Sequence, residues 1–235
     1  MNIKNNINYF KRGDGLRIFG MCLMVPGVLG LWLGWSYSYY LYLISTIALP
    51  VGLVCFILSS IGRSSEEDID ACVQRIGLDI ERDIEKHPKQ EKKVLAHIPP
   101  VTAEGYLYHD GLMFTRGKDG TVRSTEYTRA MVYVLSDALF ITRRTGSLIS
   151  EGIREDAVEI PFTMLEKAEI VTEEKTVTFG KKSFHVKETR LQVTYGDCMV
   201  FSTPIHNDIT ADQFAETINK TARAYLKEKC EGQSE

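Results

Sequence analysis

Residues 18–62 contain no Asp, Glu, Lys, Arg or His, and this run of 45 constrains the fold more than any other feature of the chain. A water-soluble helix or strand keeps a charged or polar face toward solvent, and this stretch has none to offer. Burial in hydrocarbon resolves the difficulty. About twenty residues at 1.5 Å rise cross the roughly 30 Å apolar core of a bilayer, so the run is too long for one span and fits two. It divides at Trp35-Ser36-Tyr37-Ser38-Tyr39-Tyr40, whose amphipathic rings suit the headgroup level. The sequence predicts a transmembrane hairpin with spans at about 18–35 and 41–61.

The flanks orient it. Lys11, Arg12 and Arg17 precede the first span, Arg63 follows the second, and the connecting loop carries no charge. Basic residues are retained on the cytoplasmic side, which places residues 1–17 and both termini there, in a bacterial-type inner or plasma membrane. The first fifteen residues lack the 7–15-residue apolar core of a signal peptide, and Gly13-Asp14-Gly15 reads as a flexible joint.

Charge is divided along the chain. Residues 1–17 carry a net +3, whereas from Arg63 onward 24 basic residues face 30 acidic ones. A nucleic-acid partner would call for the reverse, a basic domain or stripe. The five cysteines, Cys22, Cys55, Cys72, Cys198 and Cys230, show no metal or redox spacing and fit free thiols in a reducing compartment.

Within the spans, Gly30 and Gly34 form a G-x-x-x-G pair, and Ala48 and Gly52 a similar small-residue pair. Such spacing lets backbones approach closely in lipid. It serves either packing of the hairpin on itself or contact between copies. Pro26 and Pro50 should each bend their helix. Neither span holds an ionisable group of the kind that marks pumps and ion paths, which points to an anchor or assembly device.

Residues 63–93 read as an amphipathic stalk helix and linker. Ser65 caps Glu66-Glu67-Asp68 at the positive end of a helix dipole. Ile69, Val73, Ile76, Ile80 and Ile84 recur at threes and fours, opposite Asp70, Arg75, Asp79, Arg82, Asp83 and Lys86. That stripe needs a partner, either the following domain or a second copy. Residues 94–228 then switch to a strand period. Segments 106–115, 127–135, 138–143 and 158–161 come first, with a loop at 145–156, followed by five pieces at 166–173, 176–179, 183–187, 190–195 and 199–203. A capping box, Thr210-Ala211-Asp212-Gln213, opens a final helix, and residues 229–235 form a polar tail.

Strands followed by one amphipathic helix is the order of a pleckstrin-homology-like domain. The text Val134-Leu135-Ser136-Asp137-Ala138-Leu139-Phe140-Ile141-Thr142, then Glu159-Ile160-Pro161-Phe162, Leu165 to Ile170 and Leu191 to Tyr195, resembles the GRAM and bacterial members of that superfamily. The resemblance implies a small antiparallel β-barrel capped by the C-terminal helix, in a membrane-anchored α+β chain. It also implies binding of lipids or protein segments without catalysis. In lipid-binding members, basic residues of the hairpin loops grip phosphate. The matching positions here are Arg116, Lys118 and Arg123, with Lys181 and Lys182 in a later hairpin. Solvated turn residues are the competing reading, and Asp119 interrupts the first group. A small unrelated barrel or sandwich stays open as well.

No chemistry asserts itself. His87, His97, His109, His185 and His206 include no i, i+4 pair, and neither a phosphate loop nor a G-x-S-x-G elbow occurs. The expectation is a non-enzymatic membrane protein without catalytic residues, metal or cofactor. Its work would be binding of a protein partner or self-association. An anionic lipid headgroup, or a place in a larger membrane transport or defence complex, are the alternatives.

Overall fold

A computed structural model describes residues 2–11, 15–37, 39–206 and 209–231, with the side chains of 34–37, 60 and 209 outside the description. Two long apolar helices, antiparallel sheets and a C-terminal helix make an α+β architecture, which splits into two compact units, Met1–Glu67 and Asp68–Glu235.

In the first unit, α1 (Ile3–Lys11) precedes α2 (Gly15–Tyr37) and α3 (Tyr39–Ser60). The stretches Gly15–Leu33 and Tyr39–Ser59 are long and apolar enough to cross a membrane, and only 17% and 11% of their apolar windows are buried within the chain. Val25, Trp32 and Ile47 all face outward. Side chains of this kind call for an apolar solvent, which points to a membrane protein. The expected loop at 36–40 contracts, because α2 runs to Tyr37 and α3 starts at Tyr39. Polar side chains inside α3 turn back on their own helix: Thr46 Oγ1 donates to the Tyr42 carbonyl at 2.8 Å and Ser59 Oγ to that of Phe56 at 2.7 Å.

The polar, asparagine-rich N-terminal segment forms a helix over Ile3–Lys11, and its asparagines hold the end of the hairpin. Asn8 Nδ2 donates to the Gly62 carbonyl at 2.7 Å, Ser64 Oγ donates to Asn6 Oδ1 at 2.5 Å, and the Ser64 N–H donates to the Asn5 carbonyl at 3.2 Å. Tyr9 and Phe10 are buried beneath it. Of the expected joint at Gly13-Asp14-Gly15, Gly15 opens α2, and residues 13 and 14 lie outside the described residues.

In the second unit the isoleucine stripe does not form one stalk helix. Helix α4 (Glu66–Ile76) stops, Asp79 takes a left-handed φ of 59°, and a 3-10 helix (Ile80–Lys86) and the short α5 (Pro88–Glu91) follow. Gly77 lies at the break. A Cβ there would lie 2.3 Å from Arg129 Cδ, so the glycine makes room for that side chain where the helix stops. Ile80 and Ile84 pack with Met131, Tyr133, Leu135, Ala138 and Phe140. The segment is a cover on the domain.

Strands β1 (Val101–Tyr106), β4 (Glu126–Val134), β5 (Ala138–Ser147) and β6 (Ile153–Pro161) form an antiparallel sheet in the order β1-β4-β5-β6. Strands β2 (Phe114–Arg116) and β3 (Val122–Ser124) make a separate hairpin, and β7 (Lys167–Phe179), β8 (Lys182–Tyr195) and β9 (Cys198–Pro204) a three-stranded sheet. One core joins Val132, Val134, Leu139 and Ile141 to Leu191 and Val193 of the other sheet and to Phe214 and Ile218 of α6 (Ile209–Glu231). The alternate residues Met131, Tyr133, Ala138 and Phe140 face the 3-10 helix instead. Both faces of β4 and β5 are therefore buried over 131–134 and 138–141, which is why these stretches run apolar without alternating.

Several boundaries move. Strand β1 ends at Tyr106 and β2 begins at Phe114, so 106–115 is not one strand. The loop at 145–156 shrinks because β5 reaches Ser147 and β6 starts at Ile153. The five later pieces merge into three strands, β7 passing unbroken through Glu173-Glu174-Lys175. Helix α6 already begins at Ile209, which puts Thr210 inside its first turn.

Candidate functional site

The basic loops belong to one lobe. Phe114 and Val122 of the β2–β3 hairpin pack on Phe184 and Val186 of β8, with Tyr108, Leu112, Val177 and Phe179 around them. The hairpin thus sits on the outer half of the β7–β8 ribbon, and the turns at 117–120 and 180–181 belong to elements sharing that small core. Tyr108 stacks on Phe114 with centroids 6.2 Å apart and donates its hydroxyl to the Val122 carbonyl at 2.6 Å. Burial pushes its phenol up to about 12, and nearby Glu188 adds to the effect.

Arg123 is not an exposed loop cation. It is 6% exposed, and its Nη1 and Nη2 donate to Asp119 Oδ1 and Oδ2, each at 3.0 Å, with Asp70 at 3.6 Å. A Cβ on Gly117 would fall 1.9 Å from Nη1, so that glycine makes room for the guanidinium. The Arg123 hydrogen bonds hold the Asp119 carboxyl below its ordinary value, and the Thr121 N–H reinforces them. Arg123 and Asp119 form a bidentate strut that shapes the turn, and Arg123 leaves the set of ligand-facing residues. Arg116, Lys118, Lys181 and Lys182 are exposed.

The helix-packing residues act inside the hairpin. A Cβ on Gly52 would lie 2.8 Å from the Gly20 carbonyl oxygen, and one on Gly30 2.0 Å from Ser45 Oγ. Gly27 meets Leu49 in the same way, and Ala48 is half-buried. Gly34 falls among the side chains outside the description.

Two ionic clusters were hidden in the sequence. Asp83, placed on the wet face of the expected helix, is 5% exposed and accepts from Arg144 Nη2 at 2.7 Å. Lys86 Nζ lies 3.1 Å from the same carboxylate and 3.0 Å from Glu155, while Arg144 reaches Glu155 at 3.1 Å. The Glu155 and Asp83 contacts raise the Lys86 ammonium, and Lys86 foremost lowers Glu155. Beside them a cavity of about 250 Å³ is lined in part by His87 and Thr142. The four charges neutralise one another, an arrangement that clamps the 3-10 helix to the sheet. In the second cluster, buried Glu188 is held between Lys175 and Arg190, whose Nε donates to Ser202 Oγ at 2.6 Å.

Among the described residues, no group of three or more His, Cys, Asp or Glu is arranged to hold a metal ion, and the five cysteines are unpaired with one another. Compared with family models, curated proteins and solved structures, the chain matches none.

Proposed function

We propose that the chain is a non-enzymatic membrane protein that holds a pleckstrin-homology-like binding domain in the cytosol and works by protein binding or self-association. The observation that carries this reading is the pairing of two outward-facing apolar helices with a β domain that has its own core and closes with an amphipathic helix. Lys11, Arg17 and Arg63 flanking the helices support an inner or plasma membrane placement with both termini cytoplasmic. The decisive measurement is a gentle membrane pull-down of the tagged full chain with mass spectrometry. A specific partner, or tagged and untagged copies recovered together, supports the reading. Full release from membranes by alkaline carbonate refutes the anchor.

Anionic lipid is the second reading, favoured by Arg116, Lys118, Lys181 and Lys182 lying on hairpins of one lobe. It predicts salt-sensitive binding of vesicles containing anionic lipid, weakened by Lys181→Glu with Lys182→Glu. Equal binding by this double variant removes the loops from the account.

A further inference from the structure

The β7–β8 ribbon outruns its sheet. Strand β9 pairs only with residues 190–195 of β8, and the Ile205 N–H reaches the Thr189 carbonyl at 3.0 Å, so among the described residues no strand pairs with 182–188 of β8 on that side. Which backbone groups are left over follows from the two-residue alternation of a strand. Thr189 turns its carbonyl away from β7, so Lys187, His185 and Ser183 turn their N–H and C=O groups the same way. On β7, the Ala168 N–H donates to Asn219 Oδ1 at 2.8 Å and its carbonyl accepts from Asn219 Nδ2 at 2.7 Å. That amide imitates a neighbouring strand and covers one position of the edge. Ile170, Thr172, Glu174, Thr176 and Thr178 share the outward direction, and among the described residues no strand pairs with them there.

The two open edges complement each other. Within the chain, Glu174 lies opposite Lys187, Thr176 opposite His185 and Thr178 opposite Ser183, all on the exposed face of the ribbon. Thr176 Oγ1 and His185 Nδ1 are 3.0 Å apart. A β8 edge laid antiparallel on the β7 edge of another copy brings the same pairs together again. Lys187 meets Glu174 and exchanges both backbone hydrogen bonds with it. The β2–β3 hairpin leaves this face clear, because its contacts are to Phe184, Val186, Val177 and Phe179 on the other side. Exposed edges of this length are normally covered or made repulsive. Here their charges are of opposite sign.

We propose that copies of this chain associate head to tail by strand addition, the β8 edge around His185 of one copy pairing with the β7 edge around Thr176 of the next. The contact is heterologous, so each copy keeps one edge open for another. Confinement to one membrane would raise the local concentration of edges. The proposal rests on the self-association reading above and specifies its surface.

Light scattering of the full chain in detergent micelles, across a concentration series, tests it. Wild type should grow in mass with concentration. His185→Pro removes an outward N–H that the β7–β8 ladder does not use, as edge strands tolerate, and should raise the concentration needed for association about tenfold without lowering the melting temperature. Glu174→Lys and Lys187→Glu should each weaken association, and the two together should restore it. Association in all variants equal to wild type, or a double swap as weak as the singles, overturns the edge while leaving self-association standing. A wild type that stays monomeric overturns both.

Discussion

Asp83 illustrates how one side chain can be misread from its neighbours. In the sequence it sits among Arg82, Glu81 and Lys86 like any solvated acid, yet it is buried against Arg144. Nothing local marks it, because its partner is 61 positions away. Asp83→Asn should therefore destabilise the domain by about 1–3 kcal/mol, since it leaves the buried guanidinium with the half-exposed Glu155 as its one remaining carboxylate. Replacing both partners, Asp83→Leu with Arg144→Met, should bring stability back to within about 1 kcal/mol of wild type. Pulse proteolysis in urea on the full chain in micelles reads both, and equal losses in single and double variants would contradict the clamp. Tyr108 supplies a pH dependence. Its phenol is raised from 10.0 to about 12, so the fold favours the neutral form. That contribution is complete below pH 10 and is lost as pH rises through 12. In Tyr108→Phe the decline in stability across this alkaline window should flatten, measured by the same proteolysis.

At the scale of elements, Gly77 carries the sharpest disagreement between pattern and structure. Had the stripe from Ile69 to Ile84 formed one helix, Gly77→Ala would stabilise it by about 1 kcal/mol. The close approach of Arg129 reverses the sign, because the new methyl displaces a side chain whose Nε lies 3.1 Å from Glu104. Gly77→Ala should cost about 1–3 kcal/mol, and a stabilised variant would restore the continuous helix. The stripe misled because a break followed by a 3-10 helix still turns Ile76, Ile80 and Ile84 inward. The two apolar helices were legible, since 45 uncharged residues admit few alternatives. The existence of strands and of a closing helix could be read too. Their joins could not: Glu173-Glu174-Lys175 looks like a turn but lies within a ribbon whose outer face is wet. Of the candidate site, the basic loops were legible as turn residues, but the folding of Arg123 into Asp119 was not, because a strut and an open cation are spelled alike.

For the molecule as a whole, residues 68–93 decide where the second compact unit begins. A boundary at 94 is natural on the sequence, where the charged linker and Pro99-Pro100 mark the change of period. The structure assigns the preceding residues to the domain, with the unit starting at Asp68. Removing them would uncover Met131, Tyr133 and Phe140, lose the burial of Ile80 and Ile84, and leave Arg144 without Asp83. At about 1.5–3 kcal/mol for each buried side chain, that loss rivals the 5–15 kcal/mol of net stability typical of a domain. A fragment spanning 68–235 should therefore run as a discrete species on gel filtration and melt cooperatively. One spanning 94–228 should aggregate, or exchange its β4 and β5 amide hydrogens rapidly. Equal cooperativity in the two fragments would mean that the 3-10 helix rests on the sheet without holding it. A stable longer fragment beside an aggregating shorter one would make residues 68–93 a structural part of the domain, held to the sheet through Ile80, Asp83 and Ile84.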